Sequence, residues 1–389
     1  MRGSAASVVL ALILVLSPMP ASAASWGPVV KISGPGPAYG TPGAIAMAGS
    51  TIGVAWVERG SDQRWRLYFR RSTDSGLTWA SRVLISGTGL ALTVSMAGTG
   101  SRLDLVWNQA VNGMAQVWYV RSIDAGASWG TKQALSPASE NADAPAVARD
   151  TSGRVAVVWS GGNPMLPPSV WSRVSSNGGN TFGAAQALNE VSSPAFPRVA
   201  IGLDGRIHVV YQDGLVPSGA SETWYQRSRD ARQQWTAPQR LATSTEGSTI
   251  AAAGRVVLIG YQRLVMVANR PERWVKYRRS IDNGATWESP KQLATKEGQN
   301  TVQPVFSVRN GRWRAIFVRC QTFICDQATI RLRSSIDKGV SWSSPRLVSP
   351  NINASNSPIG ADGGKKAVVA WSRANASGNP GQVLVRRSN

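Results

Sequence analysis

An eight-residue polar stretch, Ser72-Thr-Asp-Ser-Gly-Leu-Thr-Trp79, recurs along the chain and limits what the chain can fold into. Close copies are Ser122-Ile-Asp-Ala-Gly-Ala-Ser-Trp129, Ser280-Ile-Asp-Asn-Gly-Ala-Thr-Trp287 and Ser335-Ile-Asp-Lys-Gly-Val-Ser-Trp342. Two worn copies, Ser175-Ser-Asn-Gly-Gly-Asn-Thr-Phe182 and Ser228-Arg-Asp-Ala-Arg-Gln-Gln-Trp235, fill the interval between them. The closing aromatics lie 50, 53, 53, 52 and 55 residues apart. A fixed period of this size marks a repeat architecture, in which each unit buries its apolar face against its neighbours.

Each period reads as four strands. The first is small and apolar, as in Ala44–Ala48. The second is a β-branched run ending in an aromatic, as in Ile52–Trp56 and Leu103–Trp107. The third runs into the octapeptide, as in Leu67–Arg71, and the fourth follows its aromatic, as in Ala80–Ile85. No segment of the mature chain keeps a 3.6-residue apolar period, so the expectation is all-β. The second and third strands occur seven times, the octapeptide six. Trp26-Gly-Pro-Val-Val-Lys-Ile-Ser33 reads as a fourth strand, with Trp26 lying 53 residues before Trp79. The chain stops at Arg387-Ser388-Asn389, where a seventh octapeptide would begin. These counts predict a seven-bladed β-propeller with four-stranded blades. The N-terminal strand is expected to close the last blade, so that no open sheet edge is left at the seam.

Residues 1–23 read as an export signal: Arg2, the apolar run Val8–Leu16, then Pro18, Pro20 and Ala21-Ser22-Ala23. The apolar run is about half the ~20 residues a spanning helix needs, so no transmembrane anchor is expected. Residues 24–389 then form one domain, expected to be secreted or otherwise extracytoplasmic and monomeric. In an oxidising compartment Cys320 and Cys325 are expected to close a small disulfide loop. With one histidine and no second cysteine pair the usual zinc ligand sets cannot be assembled, and no metal or cofactor is expected. The net charge of +21, from 42 Lys+Arg against 21 Asp+Glu, favours acidic partners such as anionic glycans, cell-wall polymers or membrane surfaces. Arg71, Arg121, Arg227, Arg279, Arg333 and Arg387 stand just before the octapeptides or their expected position, so part of the charge belongs to the repeat. No basic run is interleaved with aromatics, which argues against nucleic acid.

The octapeptides resemble the Asp-box, or BNR, repeat of sialidase-like propellers, and the resemblance covers essentially the whole mature chain. It implies that each box fills the turn between third and fourth strands, on the face away from the ligand. The structural box residues are then Asp74, Asp124, Asn177, Asp230, Asp282 and Asp337. The chemistry suits that role: a short Asp accepts backbone amides, Gly permits positive φ, and Trp packs between sheets.

Function then belongs on the opposite face, after the second strands. The residues two beyond each second-strand aromatic are Glu58, Gln109, Gly161, Asp213, Arg263, Arg319 and Arg373. Three arginines on consecutive repeats beside two carboxylates suit an anion-binding bowl. Each can equally end a strand and face solvent. Arg198, in Phe196-Pro-Arg-Val, belongs to an inner strand and can face the central channel. Trp65, Trp224 and Trp274 can stack on sugar rings or pack internally. Sialidases use three arginines, a tyrosine nucleophile assisted by a glutamate, and an aspartate acid/base. No stretch here matches their early Phe/Tyr-Arg-Ile-Pro motif, so no catalytic residue is assigned. His208, the only histidine, sits inside a strand, which argues against a serine-hydrolase triad. The expected function is an exported recognition or scaffold module for glycans or other anionic polymers. The alternative is a sialidase-like or other glycoside hydrolase with its site on the box-distal face.

Overall fold

The computed structural model describes residues 25–389 except 35–42, 61, 88–89, 112, 164, 166, 189–192, 203, 215–220, 230–233, 295–299, 324, 326–327, 350–353, 363–365 and 375–379. The export-signal stretch 1–23 and the box residue Asp230 lie outside the described residues. Every described element is a strand, and no helix is long and apolar enough to cross a membrane.

The strands form a propeller of five small blades and one curled seven-stranded sheet. Sheet I holds Ala44–Ala48, Thr51–Arg59, Trp65–Ser72 and Val83–Leu84. Sheet II holds Leu90–Thr99, Arg102–Val111, Met114–Ser122 and Gln133–Ala134, and sheet III holds Asn141–Arg149, Val155–Gly162, Ser169–Ser175 and Gln186–Ala187. Sheet V holds Asn300–Arg309, Arg312–Cys320, Ala328–Ser335 and Arg346–Leu347. In sheet VI the N-terminal strand Val30–Lys31 is the outermost member, beyond Pro380–Arg387, Val368–Ala374 and Ala354–Asp362. Val30 faces Val385 and Lys31 faces Leu384, so the two chain ends share one sheet.

The expectation of seven separate four-stranded blades fails at sheet IV. Its first half is Ala195–Ile201, Ile207–Asp213 and Ser221–Arg227; its second half is Val256–Val267, Arg270–Ser280 and Lys291–Gln292. One 15-residue strand, Gln239–Ala253, joins them, pairing with Ser221–Arg227 on one side and Val256–Val267 on the other. The physical reason is local. Where two blades would separate, Ser221 Oγ donates to the Thr245 carbonyl at 2.8 Å and Thr223 Oγ1 to Thr245 Oγ1 at 2.9 Å. Thr245 Oγ1 donates back to the Ser221 carbonyl at 3.1 Å. These hydroxyls hold the linking segment against the sheet, so it stays a strand.

The core lies between sheets. The second-strand aromatics Trp56, Trp107, Trp159, Tyr211, Tyr261, Phe317 and Trp371 are all buried. Octapeptide aromatics add edge-on contacts across sheets: Phe69 with Trp129 at 4.9 Å, Tyr119 with Phe182 at 4.8 Å and Tyr225 with Trp287 at 4.9 Å. Such geometry suits the ring quadrupoles.

Candidate functional site

The five octapeptides that lie wholly within the described residues form closed hydrogen-bonded turns. Asp74 accepts from the Leu77 and Thr78 N–H groups and from the Ser72 hydroxyl, and the Ser72 hydroxyl accepts from Gly76 N–H at 2.7 Å. Asp124, Asp282 and Asp337 repeat the pattern. In the worn copy Asn177 accepts from Thr181 N–H at 3.0 Å and donates to its hydroxyl at 2.8 Å. The Thr78 hydroxyl and amide hold the Asp74 carboxyl well below the usual carboxylate range. Gly284 sits at φ +75°, and a Cβ there would run into the Tyr225 hydroxyl.

The arginines before the boxes tie one turn to the next. Arg121 Nη1 donates to the Gly178 carbonyl at 2.8 Å, Arg227 Nη1 to that of Asn283 at 2.9 Å, and Arg279 Nε to that of Lys338 at 2.8 Å. Each acceptor is the fourth residue of the following octapeptide. Another set reaches the outer strands: Arg386 Nη1 donates to the Val348 carbonyl at 2.7 Å, and Arg333 Nη1 to that of Leu293. Much of the cationic excess therefore works as inter-sheet ties.

At the other end of the strands, the acidic candidates are engaged within the fold. Glu58 is buried; it accepts from Trp56 Nε1 at 2.9 Å and Gly34 N–H at 2.8 Å, and pairs with Arg82 at 2.7 Å. Arg82 also covers the Tyr68 ring at 4.4 Å. Gln109 makes the equivalent bond, from Trp107 Nε1 at 3.0 Å. The Gly161 carbonyl accepts from Trp171 Nε1 at 3.0 Å. Asp213 accepts from Ser193 N–H at 2.6 Å and lies directly opposite Glu222 on the neighbouring strand. Glu222 in turn accepts from Trp224 Nε1 at 3.1 Å and Arg240 at 2.9 Å. Trp274 Nε1 donates to Glu272 at 2.8 Å, while Arg59 lies over Trp65 at 5.6 Å.

The basic candidates are placed differently. Arg263, Arg319 and Arg373 stand at one register position on successive parts of the ring, opposite Trp274, Thr329 and Gln382. No hydrogen bond or ion pair joins the three. Arg263 lines a concave site, a cleft of about 270 Å3. Its walls include Arg240, Leu241, Tyr261, Arg263, Arg278 and Pro290. Leu241 lies near the start of Gln239–Ala253, and Pro290 just before the outer strand Lys291–Gln292, so the cleft lies toward the outer side of sheet IV, between its halves. Register explains the convergence: Arg278 lies opposite Ile259, Lys276 opposite Tyr261 and Trp274 opposite Arg263, all on one face. The buried Nε atoms of Arg263 and Arg278 have no hydrogen-bond partner among the described residues. Burial, and then the neighbouring Arg263 charge, hold Lys276 below its ordinary pKa. Burial pushes the Tyr261 hydroxyl up, against the nearby Arg278. Lys276 also lies over the Trp274 ring at 5.7 Å.

Sequence reasoning found Arg263 but missed Arg240, Lys276 and Arg278. Its rule followed one strand, whereas these residues come from the strands flanking it. The usable signal was the ladder: counting back through the Val267–Arg270 turn pairs 263 with 274 and 261 with 276. Arg198 lies in the inner strand of sheet IV, with Nη1 donating to the Pro197 carbonyl at 2.9 Å. Cys320 and Cys325 are disulfide-bonded. Among the described residues no group of side chains is arranged to hold a metal ion.

No family model matches the chain, and no curated protein matches it. Solved structures do. The polysaccharide lyase Uly1 aligns with a TM-score of 0.62 at 8% identity, over 94% of this chain and 99% of its own. A polysaccharide lyase of the PL25 family, an ulvan lyase bound to -[GlcA(1-4)Rha3S]-, gives a TM-score of 0.59 at 12% identity, with 90% and 93% covered. The Hadza microbial sialidase Hz136 gives 0.51 at 14% identity, with 84% and 73% covered. At such identities the likeness is one of fold: this chain has a sialidase-like β-propeller fold, shared with proteins that act on glycans.

Proposed function

We propose that this chain is an exported Asp-box propeller that recognises acidic glycans, or other polymers carrying the same anionic groups, and does not cleave them. The observation that carries the reading is the flank cleft: three guanidinium groups line it and none of its lining residues is a carboxylate. A planar guanidinium matches a carboxylate or sulfate with two parallel donors, and Trp274 beside Lys276 offers an apolar ring face for a sugar. Arg319 and Arg373 hold the register position of Arg263 in sheets V and VI. A uronate- and sulfate-bearing ligand in one structural neighbour agrees with this chemistry.

The second reading, a glycoside hydrolase, is favoured by one observation, the cross-strand opposition of Asp213 and Glu222. Facing carboxylates are the raw material of that chemistry. Both are engaged with partners inside the fold, which favours binding. A glycan array with carboxylated, sulfated and neutral members, run beside a fluorogenic sialoside and glycoside panel, separates the readings. Binding confined to acidic members with no turnover is expected. Turnover that disappears in Asp213→Asn or Glu58→Gln would overturn the binding reading.

A further inference from the structure

The inner strands of the ring are edge strands, except that Gln239–Ala253 has a free edge only over residues 246–253, which pair with Val256–Val267 alone; their outward N–H groups need acceptors. Two junctions show how these are met. Ser95 Oγ accepts from Val147 N–H of the next inner strand at 3.3 Å, and Thr249 Oγ1 accepts from Phe306 N–H at 3.3 Å. Each recipient lies three residues after a left-handed residue, Ala144 or Gln303. By the same count, the N–H of Ile250, three after Gly247, stands at this position in the second half of sheet IV. Thr249 lies two residues after Gly247, and the matching residue of the first half, two after left-handed Phe196, is Arg198. Arginine has donors only and cannot play the part of Ser95 or Thr249.

More donors than acceptors therefore meet at this junction. Arg198 shares a face with its register partner Val210, which packs against Ile250 and Tyr261 in the core between the halves. Ser248 shares a face with its own register partner, Tyr261, so Arg198 and Ser248 belong to surfaces that look at each other. The Ser248 Oγ is buried and has no hydrogen-bond partner among the described residues. Arg198 is half-buried as a residue, and its guanidinium is surrounded by protein. Desolvation is the sole influence on it, lowering its pKa, with no described carboxylate compensating. A buried cation left without a counter-charge is strongly unfavourable.

We propose that Arg198, Ser248 Oγ–H and Ile250 N–H bind a small inorganic anion, a halide or an oxyanion, between the two inner strands of sheet IV. The ion supplies the acceptor and the negative charge that this junction lacks. The site is separate from the glycan cleft and does not depend on it. Two measurements on the whole mature chain test it. Crystals transferred to bromide are expected to show an anomalous peak within hydrogen-bond distance of Arg198 and Ser248. Thermal unfolding at constant ionic strength, with chloride replacing gluconate, is expected to show a saturable rise in Tm. Ser248→Ala should shift the chloride midpoint several-fold, and Arg198→Met should abolish the response. Should Arg198→Met not fold, Ser248→Ala alone carries the comparison. A Tm indifferent to the anion, or bromide only at exposed arginines, overturns the proposal. Bromide at Arg198 with no saturable response means an adventitious ion only and overturns it equally.

Discussion

Asp282 accepts from Thr286 N–H at 2.9 Å and from the Thr286 hydroxyl at 2.6 Å, and Asn177 shows what one such turn keeps when the charge is absent. Asp282→Asn, which keeps the turn's bonds but loses the charge, should cost less than Asp282→Ala, which should lower Tm by about 1–3 °C, read by calorimetry. The box carboxyls also set a pH limit. The Ser128 hydroxyl leads in holding Asp124 at about 2; at Asp282 burial opposes, but the Thr286 bonds win and the carboxyl again lies at about 2. Folded values below the unfolded 3.8 mean that this stabilisation is complete above about pH 4. It is lost as pH falls through 2, which an acid titration followed by near-UV circular dichroism would show. A more costly residue is Asp104, buried with Arg149 and bonded to Tyr119. Asp104→Ala leaves Arg149 uncompensated and should cost about 3–5 kcal/mol in denaturant unfolding, whereas the apolar double variant Asp104→Leu/Arg149→Met should recover much of it. The ion pair was not legible in the sequence, because Arg149 reaches Asp104 from the next sheet, while Asp104 and Tyr119 stand on paired strands of sheet II.

Element by element, the strands and turns were legible because each repeat carries its own period-two pattern and all but the last carry an octapeptide. The junction inside sheet IV was not. Residues 242–246 carry no Pro or Gly to end the strand, but the pairing of Ser221 and Thr223 with Thr245 is a tertiary matter. The same sheet carries the long hairpin Val256–Ser280, and Arg273 ties that hairpin to its surroundings. Its Nη1 donates to the Phe323 carbonyl at 2.8 Å, its guanidinium lies 4.0 Å from the Phe323 ring, and its Nε reaches Glu246 at 3.2 Å. Phe323 sits inside the Cys320–Cys325 loop. Reduction of that disulfide is expected to loosen the brace and speed amide exchange across 264–274, leaving sheet II unchanged. Equal exchange in both redox states would contradict this.

At the scale of the whole ring, the chain ends are joined by several bonds. Ile32 N–H donates to the Val383 carbonyl at 3.0 Å, Asn389 N–H to that of Ser25 at 2.7 Å, and Val383 N–H to Ser33 Oγ at 3.0 Å. A chain truncated to begin at residue 34 exposes the edge of Pro380–Arg387 and should unfold several degrees lower and self-associate, read by calorimetry and light scattering. This closure was legible from the phase of Trp26, whereas the flank cleft was not, since it depends on where two halves of one sheet fail to separate. Part of the basic charge is tied to carbonyls, through Arg121, Arg227, Arg279 and Arg386, while Arg240, Arg263 and Arg278 line the cleft. Calorimetric titration of an acidic oligosaccharide into wild type and Arg263→Gln is the most direct test of that division. The account predicts binding that weakens about tenfold in the variant, near 1.4 kcal/mol, and that fades with salt as exposed charges are screened. Equal affinity in both proteins, or undiminished binding of the neutral analogue, would contradict it.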